Sequence, residues 1–200
     1  MASQNLSRAD ITRLNILNKA FALIYRSGYQ ATSIDDIIAT TQVTKGALYY
    51  HFKNKDEMGL AIIEEVMYPA MHSTMIKPLT EATHPQKEIY KMMKGILENE
   101  SFFDVRYGCP AVNLIEEMAP LNSAFAKALK KLFTEWKNAI IHCVEEGKKK
   151  KIVNTDVNSE QVAILVLSGY SGIRNLGKLV GKSCYTIYLK ELKNYLNTVG

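Results

Sequence analysis

The chain has 200 residues, 47% hydrophobic and 22% charged, which is the composition of an ordinary globular protein and excludes a low-complexity chain. Its three cysteines are odd in number and far apart, which excludes a disulfide framework and favours a reducing cytoplasm. The N-terminus has no apolar signal core, and no run of 18 apolar residues occurs. We therefore expect a soluble, cytoplasmic protein with no membrane partner.

The formal net charge of +5 suits an anionic partner. Only part of it lies near the N-terminus, because residues 1–60 contain seven Lys or Arg against five Asp or Glu, a net of +2. If this region binds an anion, affinity should come from placed contacts rather than from a basic tail.

The first predicted helix covers residues 8–26 and is ended by Gly28. Its apolar positions recur at helical spacing. They are Ile11, Leu14, Leu17, Phe21 and Ile24.

Two short helices joined by a tight turn are predicted between residues 32 and 55. Thr32 or Ser33 caps the first, with Asp35 or Asp36 as the reciprocal acceptor. Thr44 caps a second helix over residues 45–50. Two short helices at this separation indicate a helix-turn-helix, whose second helix enters the DNA major groove by its N-terminal end.

The second of these helices has suitable chemistry for that task. Gly46 costs about 1 kcal/mol relative to Ala inside a helix but lets the backbone approach a partner closely. Thr44 and Lys45 stand at the positive end of the helix dipole, where phosphate is favoured. In the alternative interpretation the tyrosines are buried and the lysines solvated, which accounts for single residues but not for the whole string. The residues predicted to contact DNA are Thr32, Ser33, Thr44, Lys45, Gly46, Ala47, Tyr49, Tyr50, His51 and Lys55.

The string VTKGALYYHFKNKDEM, preceded by TSIDDIIATTQ, resembles the DNA-binding domain of the TetR/AcrR family of transcriptional repressors. The resemblance implies an all-α homodimer, with a helix-turn-helix domain over residues 1–53 and a ligand-binding and dimerisation domain over residues 54–200. It further implies a ligand-responsive repressor that binds a palindromic operator and is released by a small-molecule effector. Two alternatives stay open. One is an activator or ligand-independent regulator on the same scaffold; the other is a small-molecule-binding or enzymatic helical protein with vestigial DNA binding.

A fourth helix is predicted from Asn54 or Lys55 onward for about five turns. Pro69 falls inside its apolar pattern, where it removes a backbone hydrogen bond, so we expect a kink.

Five further helices are predicted, beginning at Pro85, Pro110, Asn122 or Ser123, Ser159 and Ser183, and we expect Gly147 to end the seventh. The eighth, residues 159–180, is apolar on nearly every side and should be buried on every side, which suggests a subunit interface. With the ninth helix and their symmetry mates it would form a four-helix bundle. The predicted interface residues are Val162, Leu165, Gly169, Gly172, Ile187 and Leu192.

A helical body of this kind can enclose a small-molecule site. Asn113 and Arg174 are polar residues on apolar helices and are predicted to orient a ligand, although a structural hydrogen bond explains each equally well. Plain core is the alternative for the apolar candidates. The full candidate set is Met67, Met71, Met93, Phe102, Phe103, Tyr107, Cys109, Asn113, Trp136, Tyr170 and Arg174.

Cys109 stands in RYGCP at an expected helix start, where the dipole favours a thiolate. This segment resembles the branch of the family that includes electrophile- and oxidant-sensing repressors, and the resemblance makes Cys109 and Lys178 candidates for a redox function. The alternative is a buried, inert cysteine.

Enzyme function is poorly supported by the sequence. The four histidines have no metal-ligand spacing, and no nucleophile elbow, P-loop or dinucleotide fingerprint occurs. We therefore predict no catalytic residue, no metal and no cofactor.

Overall fold

The computed structural model describes residues 7–99 and 103–200, and within these ranges the chain forms helices and no strand. The helices are α1 (Arg8–Ser27), α2 (Ile34–Thr41), α3 (Lys45–His51), α4 (residues 55–80), α5 (Pro85–Glu98), α6 (Pro110–Met118), α7 (Ser123–Lys149), α8 (Ser159–Val180) and α9 (Ser183–Thr198). The predicted all-α class is confirmed. No helix of the described ranges combines the length and the hydropathy that a membrane span requires.

The contacts divide the chain into two compact units. Unit 1 comprises the residues up to Pro69 together with Asn113–Leu129, and unit 2 comprises Ala70–Val112 and Lys130–Gly200. The predicted boundary between residues 53 and 54 separates two functions, DNA binding and ligand binding, rather than two sets of contacts. It stays a prediction.

The core of unit 1 contains one side of α1, with Ile16, Leu17 and Ala20 fully buried. Of the apolar positions that recur at helical spacing in α1, Ile11 is 55% exposed and Leu14 is 39% exposed. Both lie in the first two turns of the helix, where the Arg13 guanidinium lies over the Phe52 ring.

The helix-turn-helix forms as predicted, and its caps can be assigned. The Ser33 hydroxyl accepts from the Asp36 amide at 3.1 Å, and the Asp36 carboxylate accepts from the Ser33 amide at 2.9 Å. The Thr44 hydroxyl accepts from the Ala47 amide at 3.2 Å and so caps α3. Each such cap contributes about 1 kcal/mol.

α4 is irregular over much of its length, while the kink predicted at Pro69 stays a prediction. The α-helical segments Lys55–Ala61, Tyr68–Met71 and Lys77–Thr80 alternate with π-helical segments Ile62–Met67 and His72–Ile76. π-Helical turns are rare and often occur at functional sites. Pro69 lies in the short α-helical segment between the two.

Unit 2 has its core along α7 and α8, where Trp136, Ile140 and Val166 are buried. The prediction that Gly147 ends α7 is wrong, since the helix continues to Lys149. A Cβ at Gly147 would lie 2.5 Å from Pro85 Cγ, so glycine is needed there for close packing.

Candidate functional sites

The outer face of α3 is polar, and its inner face is anchored in the core of unit 1. Leu48 is fully buried, while Tyr49 is 44% exposed and Tyr50 is 79% exposed. Lys45 and Gly46 are exposed one turn earlier on the same helix. A Cβ added at Gly46 would meet no atom within 4 Å, so nothing in the free protein requires glycine there. The absence of a side chain instead leaves the backbone open to a partner.

Lys45 is held in a weak ion pair that another anion can replace. Its Nζ lies 3.1 Å from Asp35 Oδ1, and both side chains are well exposed to solvent. The hydrogen bond to Asp35 raises the pKa of Lys45. Exposed pairs of this kind contribute little to stability, so exchange of Asp35 for a phosphate oxygen would cost little.

Arg13 of α1 braces the end of α3, a contact that the sequence did not indicate. Its guanidinium donates to both carboxylate oxygens of Glu65 at 2.5 and 3.2 Å, and to the carbonyl of His51 at 3.0 Å. The same group lies 4.4 Å from the centre of the Phe52 ring. The last turn of α3 is therefore tied to both α1 and α4. The sequence shows only a polar residue on an amphipathic helix, with no signal of these distant partners.

Two of the predicted DNA contacts have partners inside unit 1. The Lys55 ammonium donates to the carbonyls of Tyr29 and Thr32 at 2.8 Å each and lies over the Tyr29 ring. Desolvation lowers the pKa of Lys55. Thr32 is 2% exposed, and its hydroxyl donates to the Gly28 carbonyl at 2.7 Å. Both residues stabilise the turn before α2, whereas Ser33, Thr44, Lys45, Gly46, Tyr49 and Tyr50 are exposed and Ala47 and His51 are half-buried.

We call the helix-turn-helix region of unit 1, residues 8–56, the head. The end of α6 and the loop between α6 and α7 are hydrogen-bonded to it. Asp56 accepts a hydrogen bond from the Tyr29 hydroxyl at 2.6 Å and another from the Asn122 amide at 3.0 Å. The amide of Gln30 donates to Glu117 at 3.0 Å. All of these groups belong to unit 1, so the ends of α6 and α7 are coupled to the segment that leads into α2.

In unit 2, several predicted ligand residues do come together. Arg174 is 0% exposed, and its guanidinium lies 4.7 Å from the centre of the Phe103 ring and 5.5 Å from that of Tyr170. The Trp136 ring packs edge-on against Tyr170, with centres 5.1 Å apart. The Tyr170 hydroxyl adjoins the Cys109 thiol, and burial raises the pKa of Tyr170 well above its ordinary value. We call Phe103, Trp136, Tyr170 and Arg174 the arginine cluster.

The other ligand candidates belong to both units, Met67 and Asn113 to unit 1 and Met71, Met93 and Tyr107 to unit 2. Met67, Met71 and Met93 are buried apolar side chains, and the Tyr107 ring contacts Arg106. Asn113 is half-buried and belongs to unit 1. Phe102 lies outside the described residues.

Cys109 is buried, and Lys178 packs close to its neighbour Gly108. A Cβ placed at Gly108 would lie 3.3 Å from Lys178 Nζ. The two proposed redox residues therefore share one region of unit 2. The other cysteines are poor nucleophiles, because burial raises the pKa of Cys143 to about 12 and also raises that of Cys184.

Within the single chain one face of α8 is exposed, and this face carries several leucines. Burial of this face against a second subunit stays a prediction. Leu165 is 41% exposed, Leu176 is 45% exposed, and Ile187 on α9 is 67% exposed. The exposed α8 positions recur every three or four residues. They include Gln161, Leu165, Ser168, Gly172, Leu176 and Leu179, and Glu160, Ile164 and Val180 are exposed as well.

Three predicted interface residues pack inside the chain instead. Val162 is 1% exposed and Leu192 is 3% exposed. A Cβ at Gly169 would lie 2.6 Å from the Tyr188 hydroxyl, so this glycine admits α9 of the same chain. The spacing of apolar residues alone could not separate the inner and outer faces of so apolar a helix.

Comparison with known proteins agrees with this architecture. Residues 16–62 match a family described as "Bacterial regulatory proteins, tetR family", and residues 85–187 match "Tetracyclin repressor-like, C-terminal domain". An uncharacterised HTH-type transcriptional regulator of Lactococcus lactis is 33% identical over 129 residues, which are 64% of this chain and 66% of that protein.

Two further proteins are similar over most of the chain. The HTH-type transcriptional repressor DhaR of Mycobacterium sp. strain GP1 is 23% identical over 80% of this chain and 79% of its own length. A TetR-family regulator from Cytophaga hutchinsonii has the same fold, with a TM-score of 0.86, 20% identity and 98% of each chain covered. With the second family match spanning more than half of its residues, the chain belongs to the TetR family of bacterial transcriptional regulators, which bind DNA and are not enzymes.

Proposed function

We propose that the protein is a ligand-responsive repressor that binds a palindromic operator as a homodimer and is released by a small-molecule effector. The observation that carries the proposal is α3, a capped helix with Leu48 in the core and with Lys45, Gly46, Tyr49 and Tyr50 exposed. Such a helix is anchored on one side and offers donors on the other, as major-groove recognition requires. The printed name of DhaR, a repressor, favours repression over activation.

Lys45 and Tyr49 are the proposed base-reading residues, and Ser33, Thr44, Tyr50 and His51 the proposed phosphate contacts. Phosphate contacts set position and salt dependence, whereas base contacts set sequence preference. Thr32 and Lys55 would then act indirectly, by holding the segment that leads into α2. The proposed location is the cytoplasm, where the DNA is.

The exposed face of α8 together with Ile187 is the proposed dimer interface. Isolated apolar side chains on a surface are ordinary, but several exposed leucines along one helix face, with Ser168 and Gly172 between them, favour burial against a partner. A C2 pair of these faces would present two reading heads to half-sites about 34–36 Å apart.

Effector binding is proposed to act by coupling rather than by covering α3. A ligand in unit 2 lowers operator affinity only if it binds the DNA-incompetent form more tightly, and a coupling of about 1–3 kcal/mol changes affinity about 5–150-fold. The contacts of Asp56, Gln30 and Glu117 give the ends of α6 and α7 a direct connection to the head. Electrophiles and oxidants form one proposed effector class, with Cys109 as the reacting thiol and Lys178 as its neighbouring cation.

The test is fluorescence anisotropy of labelled promoter fragments at physiological salt. Specific binding of a palindromic fragment, with no gain from a single half-site, is the expected result. Absence of any sequence-specific DNA binding would favour the alternative of a vestigial helix-turn-helix. A compound that releases the DNA is then titrated with and without operator, and equal compound affinity in both titrations would favour a ligand-independent regulator.

The proposed redox function of Cys109 is tested by comparing DNA release in cysteine variants. Peroxide or a quinone should release DNA from the wild type but not from Cys109→Ser, while Cys184→Ser should respond like the wild type. Release that persists in Cys109→Ser would move the reactive group elsewhere.

A further inference from the structure

Arg174 is a fully buried cation with no carboxylate partner among the described residues. Arginine stays protonated in proteins, so the charge cannot be removed by losing a proton. Burying a charge costs several kcal/mol, which only good geometry and further hydrogen bonds offset. Among residues 7–99 and 103–200, no other charged side chain is classed as buried.

The protein supplies the Arg174 guanidinium with only some of the hydrogen-bond acceptors that its five N–H donors can use. It donates to the Ile96 carbonyl near the C-terminal end of α5, and one Nη lies 3.5 Å from the Tyr185 hydroxyl. Three aromatic rings surround it, those of Phe103, Tyr170 and Tyr185, with centres 4.7 to 5.5 Å away. Aromatic faces attract a cation but accept no ordinary hydrogen bond.

Three buried polar atoms of this region lack an ordinary hydrogen bond. Within the part of the chain that the structure describes, Arg174 Nε, the Tyr170 hydroxyl and Trp136 Nε1 are buried and make no hydrogen bond of ordinary geometry. Native proteins leave few buried polar groups unsatisfied, and each costs about 1–3 kcal/mol. All three atoms can donate, and donors are what an anion requires.

A surface groove reaches the same residues from outside. It has a volume of about 280 Å³ and is lined by Thr74, Pro78, Met92, Gly95, Ile96 and Phe103, with Glu88, Lys91 and Asn99 also contributing. Ile96 and Phe103 line the groove and also contact Arg174. A shift of the Phe103 side chain would therefore join the groove to the guanidinium.

We propose that the arginine cluster is the binding site for the carboxylate of a small, otherwise apolar effector, whose apolar part occupies this groove. The carboxylate would accept from Arg174 Nε and the Tyr170 hydroxyl, and it would neutralise the buried charge. Arginine is well suited to a carboxylate because the two groups match in a planar, bidentate geometry. A single guanidinium enclosed by aromatic rings favours a singly charged group over a phosphate dianion. The groove volume is near the lower end of the usual range for ligand sites, so the effector should be small.

The inference rests on the proposed ligand-responsive function, but it can be tested without DNA. Hexanoate and benzoate are titrated calorimetrically into the full chain at pH 7.5, beside their uncharged analogues hexanamide and benzamide and beside inorganic phosphate. We expect at least one carboxylate to bind at least tenfold more tightly than its amide, a difference of about 1.4 kcal/mol. Phosphate should not bind at this site.

Two variants locate the site. Arg174→Met should weaken carboxylate binding at least tenfold, whereas Lys91→Met, which removes an exposed cation of the same groove, should bind as the wild type does. Arg174→Lys keeps the charge but loses the planar pair of donors, so it should bind at least severalfold more weakly, and it serves if the methionine variant does not fold.

The proposal is overturned if neither carboxylate binds the wild type in the millimolar range, if Arg174→Met binds equally well, or if phosphate binds more tightly than both. None of these results would bear on operator binding. Conversely, carboxylate binding by a protein that fails to bind any operator would refute the proposed function and leave this site in place.

Discussion

The head in unit 1 and the arginine cluster in unit 2 differ in how completely their inner polar groups are hydrogen-bonded. In unit 1, Arg13 and Lys55 each have two or more partners within hydrogen-bonding distance. In the arginine cluster, three buried donors make no hydrogen bond of ordinary geometry within the described residues. The polar groups of the head are hydrogen-bonded without any ligand, so its surface is preorganised. The buried donors of the arginine cluster would instead be stabilised most by a ligand that supplies the acceptor they lack.

The outer surfaces differ in a parallel way. The outer face of α3 is polar and suits a hydrated, charged partner. The outer face of α8 carries exposed leucines and suits a second protein surface. Each surface can therefore be tested by a substitution that disturbs one kind of contact and not the other.

The largest effect is expected from charge on the α8 face. Leu165→Glu should place an unpaired carboxylate in the proposed interface and break the dimer. Because two linked heads bind about 10²–10⁴ times more tightly than one, operator affinity should fall by about that factor. Light scattering and anisotropy measure the two effects. Leu121→Glu, an equally apolar and 67% exposed residue of unit 1, is the control, and a Leu165→Glu protein that stays dimeric would place the interface elsewhere.

The next effect concerns the outer face of α3. Lys45→Ala and Tyr49→Ala should each weaken operator binding by about 1–3 kcal/mol and relax sequence preference. His51→Ala should weaken binding to all sequences and flatten the salt slope. Lys55→Met should instead lower the stability of the head and leave the salt slope unchanged, since its ammonium is already held by two carbonyls. Anisotropy at several salt concentrations distinguishes these outcomes, and a reduced slope in Lys55→Met would restore it as a phosphate contact.

A smaller effect compares the two arginines directly. Arg13→Met should lower the free energy of unfolding by about 1–2 kcal/mol, since it leaves Glu65 and the His51 carbonyl without their donor. Arg174→Met should be neutral or stabilising, because replacing a buried, poorly paired charge by an apolar side chain often is. Urea denaturation followed by circular dichroism gives both values. A strong loss in Arg174→Met would mean that its contact with the Ile96 carbonyl is structural and that the contrast between the two regions is weaker than proposed.

The smallest effect is a pH dependence in the head. Burial, with the hydrogen bond to Asp56, raises the pKa of Tyr29 above its ordinary value of 10.0. The folded state therefore holds this proton more tightly than the unfolded state, so stability is full below pH 10 and is lost as the pH rises above it. Tyr29→Phe should show less of this alkaline loss, and Tyr50→Phe, which changes an exposed ring, should follow the wild type. Thermal unfolding between pH 8 and 11 provides the comparison, and identical profiles for all three proteins would contradict it.

Much of the head could be predicted, and part of its chemistry could not. Ser33, Thr44 and Asn54 cap their helices through partners three residues away, a local relation that spacing reveals. Arg13 and Lys55 make contacts 23 to 52 residues away along the chain, and no local pattern encodes such partners. For this reason Lys55 was predicted to contact DNA, and Arg13 was not singled out.

The order and class of the helices, and nearly all of their ends, follow from the local pattern of apolar residues, caps, glycine and proline, because these interactions operate within a few residues. Which side of α8 faces inward was decided only by the folded chain. A helix that is apolar on nearly every side has no periodic signal, so Val162, Gly169 and Leu165 look alike until α9 covers some of its sides and leaves another open. Arg174 stands out in the sequence as a polar residue on an apolar helix, but only packing decided that its guanidinium is fully buried among aromatic rings and donors that make no hydrogen bond of ordinary geometry within the described residues.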